Sequence, residues 1–193
     1  MDSTLRVRTY QRIQSYKQRF VSFCKKLSLI INPMIKIGNS CYIEKNACIR
    51  TVGHWGCGAV SVGKNCFLGE GAMLIAQGGD ITIGDNSSIN QYTIIYGMGG
   101  AKIGNNVRIG PRCTIIPQNH NYKRKDSLII SQGMSSKGIV IEDDVWIGAG
   151  VIIVDGVLIR KGSVIGAGAI VTKDTEPYSV NVGVPANKIG ERI

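Results

Sequence analysis

An aliphatic residue returns at every sixth position along most of this chain, and that period restricts the fold more than any other feature. Ile37, Ile43 and Ile49 are six apart, as are Val62, Leu68 and Leu74, then Ile83, Ile89 and Ile95, then Ile103, Ile109 and Ile115. After a gap the series resumes at Ile141, Ile147, Ile153, Ile159, Ile165 and Val171. Gly often follows the aliphatic residue (Gly38, Gly63, Gly84, Gly104), and a small residue usually stands four places after it. A helix repeats about every 3.6 residues and a strand every second residue, so a period of six is neither. It fits a short strand plus a turn, repeated, with the aliphatic and small residues inward and Gly or Asn taking the unusual angles at the bend. Stacked turns bury their aliphatics in ladders and exchange backbone hydrogen bonds from one coil to the next.

The breaks in the series carry as much information as the series itself. Phase slips follow Ile49, Leu74, Ile95 and Ile115, each the third hexapeptide of a set. Three hexapeptides per coil, with every insertion leaving from one corner, account for this pattern. The expected shape is a triangular prism of about six coils, one corner decorated and two tight. The largest break holds IIPQNHNYKRKD, where a histidine and a basic run replace the period until Ile141.

Composition adds limits. At 193 residues, with Gly abundant and aromatics scarce, this is one domain or one domain with an appendage. The net charge of +10 invites a nucleic-acid reading. Residues 1–36 hold eight basic residues against Asp2 alone, however, so the remainder is only mildly basic and no nucleic-acid partner is expected. Leu5, Ile13, Tyr16, Phe20, Phe23, Leu27 and Ile30 follow helical spacing. An amphipathic basic helix is therefore expected over 4–30, capping the first coil or packing between subunits; peripheral contact with an anionic membrane is the alternative. Lys25-Lys26 interrupt the apolar stretch near Phe20, so neither a secretory signal nor a spanning helix is expected. Cys41, Cys66 and Cys113 fall at the small-residue position and no CxxC occurs, which reads as core cysteines in a reducing cytoplasm.

The motifs IGNNVRIGPRCTII and IEDDVWIGAGVIIVDGVLIRKGSVIGAGAIVT resemble the hexapeptide-repeat acyltransferases over roughly residues 37–190. Within that family IIPQNHNY, GIVIEDDVWIGAG, VIGAGAIVTKD and VGVPANKI resemble the galactoside, maltose and nodulation-sugar O-acetyltransferases. The resemblance implies an all-β fold, a left-handed parallel β-helix, typically trimeric with active sites between neighbouring prisms. The organisation expected is a basic helical arm over 1–36, a β-helix over 37–178 with a protruding loop over 116–140, and a tail over 179–193. It also implies acetyl-CoA as co-substrate, a carbohydrate acceptor and no metal requirement. His120 matches the catalytic base, a role for which imidazole, titrating near neutrality, is chemically suited. Asn90 matches an asparagine contacting acceptor or thioester, and Met134 a residue near the acceptor. Ala149, Ala167, Thr172 and Lys173 match donor-binding positions, with the Ala149 amide placed to stabilise developing negative charge on the thioester oxygen. Asn187 stands where relatives often carry Arg, leaving Lys188 or Arg192 to meet the donor phosphates. His54, beside Trp55, reads as a surface residue, with sugar stacking as the alternative.

The basic arm departs from the galactoside and maltose enzymes, which directs the expectation to surface-polysaccharide O-acetylation in the cytoplasm, with membrane association an option. The competing expectation is N-acetylation of a nucleotide-linked amino sugar; a non-catalytic scaffold is more remote. A carbonic anhydrase of the same shape needs three zinc-binding histidines, and this chain has two.

Overall fold

The computed structural model describes residues 32–54 and 56–193, so the arm expected over residues 4–30 and Trp55 lie outside the described residues. From Ile35 the chain winds as a three-faced parallel β-solenoid of about six turns. The first face begins with Ile35–Ile37, the second with Tyr42–Ile43 and the third with Cys48–Arg50; each then gains one strand per coil.

All eighteen periodic aliphatics sit in register. On the first face Ile37, Val62, Ile83, Ile103, Ile141 and Ile159 are successive partners. On the second they are Ile43, Leu68, Ile89, Ile109, Ile147 and Ile165. On the third they are Ile49, Leu74, Ile95, Ile115, Ile153 and Val171. Sixteen of these are buried, and only Ile37 and Ile49 of the first coil are half-buried. The small-residue position has a second duty. Its thiol or hydroxyl donates to a glycine carbonyl one coil on: Cys41 to Gly63 (3.0 Å), Cys66 to Gly84 (3.1 Å), Ser87 to Gly104 (3.0 Å), Thr93 to Gly110 (2.8 Å) and Cys113 to Gly148 (3.1 Å). Polar side chains are thereby buried with partners.

Every insertion leaves between the third and first faces, at 51–59, 76–80, 97–100 and 117–138. Residues 179–193 are built into the sheet. Ser179–Val182 adds a parallel strand to the second face, and Asn187–Glu191 folds back antiparallel to it. Here Asn181 pairs with Ile165 where a seventh aliphatic would stand. Its Nδ2 donates to Ser179 Oγ (2.8 Å), which donates to the Glu176 carbonyl (2.6 Å), so a hydrogen-bonded polar layer ends the apolar core.

Candidate active site

Two grooves flank the coils, at different corners. The first is built by the long insertion. After Thr114–Ile116 the chain leaves the prism; Asn119–His120 then pairs antiparallel with Met134–Ser135, setting His120 directly opposite Met134. The tip is tied by Gln132, whose Nε2 donates to the carbonyls of Arg124 (2.8 Å) and Ser127 (3.0 Å), while its Oε1 accepts from the Arg124 N–H (3.0 Å). The base is tied by Asp155, on the corner of the next coil. Its Oδ1 accepts from the N–H groups of Lys137 (2.7 Å) and Gly138 (3.0 Å), and Asn119 Nδ2 reaches its Oδ2 at 3.4 Å. Both arms of the insertion are thus anchored to one carboxylate. The groove beside them measures about 660 Å³ and is lined by His120, Lys123, Arg124, Ser135 and Lys137 together with Asp155. His120 is exposed in it, a position from which an imidazole can meet a substrate proton.

The second groove, about 500 Å³, lies between the second and third faces and is lined by Gln91, Tyr92, Pro111, Arg112, Ala149 and Gly150. Ala149 and Ala167 are exposed on consecutive coils here. Gly150 (φ 69°) and Gly168 (φ 71°) take the left-handed turn, and nothing lies within 4 Å of where their Cβ atoms would be. The result is an open ledge with a backbone floor, suited to a narrow flexible ligand. Asn90 stands at the same corner, half-buried, its Nδ2 donating to the Ile109 carbonyl (2.6 Å).

The expected site residues therefore fall into two groups. His120 and Met134 meet at the decorated corner, where Thr172 and Lys173 are also exposed after the last strand of the third face. Asn90, Ala149 and Ala167 gather one face away. Lys188 is held at 2.5 Å by both Glu176 and Glu191, and these partners raise its pKa. Arg192 bonds Asp144 at 2.9 Å. His54 is exposed on a hairpin of Val52–Gly53 with Gly56–Cys57, at the decorated corner three coils before His120. Among the described residues no three His, Cys, Asp or Glu side chains gather as metal ligands.

Asp155, Gln132 and Arg112 escaped the sequence reading. For Asp155 a signal existed, since Asp80 and Asp174 also follow third-face strands and accept from the N–H groups of Ala59 (2.8 Å) and Leu158 (2.9 Å).

The profile of the bacterial transferase hexapeptide (six repeats) matches residues 138–173, and that of the hexapeptide repeat of succinyl-transferase matches 59–90. The chain is 32% identical over 143 residues to dTDP-4-amino-4,6-dideoxy-D-glucose acyltransferase from Escherichia coli, covering 72% of this chain and 74% of the relative. Among solved structures it resembles a variant of AntD, an N-acyltransferase from Bacillus cereus in complex with dTDP-4-amino-4,6-dideoxyglucose and coenzyme A. That match has a TM-score of 0.73 and 25% identity over 88% of this chain and 89% of the other. A maltose O-acetyltransferase from Clostridium difficile matches with a TM-score of 0.61 and 34% identity over 68% of each chain. Repeat, register and relatives agree: the chain belongs to the hexapeptide-repeat acyltransferases.

Proposed function

We propose that this enzyme transfers an acyl group, acetyl in the simplest case, from coenzyme A to the amino group of a nucleotide-linked sugar. The observation that carries the reading is the setting of His120, exposed in a groove that also presents Lys123, Arg124 and Lys137. Those cations suit an anionic acceptor. The Escherichia coli relative and AntD are named for, or bind, a nucleotide-linked amino sugar, which turns the acceptor from the polysaccharide hydroxyl expected of the sequence towards an amine.

His120 takes the proton of the attacking nitrogen as the N–C bond forms. The tetrahedral oxyanion accepts from the Ala149 N–H, the C–S bond breaks, and the proton passes to the departing thiolate. The pantetheine arm lies on the Gly150–Gly168 ledge, with Thr172 and Lys173 towards the phosphates. Binding both substrates in one groove supplies proximity without an acyl-enzyme. The His120 corner and the Ala149 corner are one face apart, which supports a complete site formed between copies of a homotrimer. A cytoplasmic location, where acyl-CoA is available, belongs to the same proposal. A second reading, O-acetylation of a sugar hydroxyl, is favoured by the 34% identity to a maltose O-acetyltransferase and needs the same base and donor.

The test is thiol release from acetyl-CoA, comparing nucleotide amino sugars with maltose and surface-glycan fragments. Turnover on the nucleotide amino sugar is expected, with kcat falling about 100-fold or more in His120→Ala. Turnover confined to glycans would move the assignment to the O-acetyl reading. Full activity of His120→Ala would remove the base.

A further inference from the structure

The left-handed position at the corner of the second groove is filled, coil by coil, by Asn46, Gly71, Tyr92, Arg112, Gly150 and Gly168. Asn and Gly tolerate this conformation; Tyr92 and Arg112, both at φ 58°, do not do so readily. An outlier of this kind, held by the surrounding fold, points towards function. Tyr92 has one structural reason for its place: a Cβ on Gly71 would stand 2.6 Å from its ring, so the ring lies across that glycine. Its other side remains open, and the residue is 56% exposed. Arg112 is exposed as well. Ion pairs among the described residues engage Lys45, Arg124, Lys188 and Arg192, and Arg112 is in none of them. No acidic residue lines its groove. Glu44, which reaches Gln91 at 3.4 Å, already accepts from the Glu70 N–H at 2.7 Å.

We infer that Arg112 binds the diphosphate of the acceptor nucleotide, with the exposed Tyr92 ring beside it as a face for the base or sugar. The inference rests on the acyl-transfer reading above. It separates the two substrates along the axis of the prism. The open ledge of Gly150 and Gly168 runs from the fifth coil to the sixth, so the donor arm extends towards the C-terminal end. Arg112 lies in the fourth coil, the coil whose third-face strand leads into the His120 hairpin, and Tyr92 lies in the third. The acceptor is left the N-terminal side of the reacting centre. A guanidinium fork makes paired bonds to phosphate oxygens, which a lysine or a neutral side chain does not reproduce.

Calorimetric titration of the full chain with dTDP and, separately, with coenzyme A tests this in wild type, Arg112→Gln and Arg112→Gly. The expected result is dTDP affinity weakened about tenfold or more in both variants, with coenzyme A affinity held within about twofold. Arg112→Gly should melt no lower than wild type, because glycine relieves the left-handed turn. Loss of coenzyme A affinity instead would assign the phosphate to the donor and overturn the inference. Unchanged dTDP binding in both variants would also overturn it while leaving the nucleotide-sugar reading intact. A wild type that binds coenzyme A but not dTDP would sink both.

Discussion

At the scale of the residue, the six-residue period asks two things of its small position: little volume, and a donor for a carbonyl one coil away. Cys41, Cys66 and Cys113 meet both, as Ser87 and Thr93 do with hydroxyls. A side-chain hydrogen bond between the two thiols, Cys41 and Cys66, together with burial pushes the Cys66 thiol well up, and burial foremost pushes Cys113 up. A raised thiol pKa leaves less thiolate, which is the reactive form. Among the described cysteines, a thiol reagent added to the folded protein should therefore label the exposed Cys57 first, with Cys41, Cys66 and Cys113 protected until denaturant is added. Peptide mass spectrometry reads this directly, and early labelling of Cys66 would contradict the assigned packing. The sequence made the size of these residues legible through their spacing. It did not reveal their hydrogen bonds, because the acceptor glycine belongs to another coil and lies 17 to 35 residues away.

Elements show where legibility ends. The eighteen aliphatics and the corner of insertion could be read because burial imposes a strict period on them. The seventh strand of the second face, Ser179–Val182, could not, since Asn181 occupies the aliphatic position and the polar layer carries no period. Nor could the pairing within the insertion be read: NHNYKRKD has no alternation, and His120 meets Met134 through a two-residue ladder. What fixes that hairpin is Asp155, from the coil that follows it. Asp155→Ala should free both arms at their base, lowering kcat about tenfold or more through misplacement of His120 while stability falls by only about 1–2 kcal/mol. Asp155→Asn keeps an Oδ1 acceptor and should recover part of the rate at the same pH optimum. Steady-state kinetics with thermal melts distinguish this from simple unfolding; equal loss in both variants, matched by loss of fold, would make Asp155 merely structural.

At the scale of the molecule, the faces differ in what they show outward. The outward residues of the first face are Lys36, Ser61, Thr82, Lys102, Val140 and Leu158; those of the third are Cys48, Met73, Ile94, Thr114, Ile152 and Ile170, all six of the third half-buried and Thr114 alone of them bearing a hydroxyl. An apolar sheet face of this extent favours a partner, and in the trimer proposed above a second copy would supply what a single chain separates: His120 at one edge of that face and Ala149 at the other. Mixing two inactive variants tests the arrangement. His120→Ala removes the base and spares the ledge; Ala149→Trp fills the ledge and spares the base. If each site takes its base from one copy and its ledge from the next, co-refolded mixtures contain sites with both halves intact, about one in four for equal amounts. Activity should then rise from near zero to roughly that fraction of wild type, with sedimentation giving a trimer throughout. Sites confined to one copy would leave every mixture as inactive as its components.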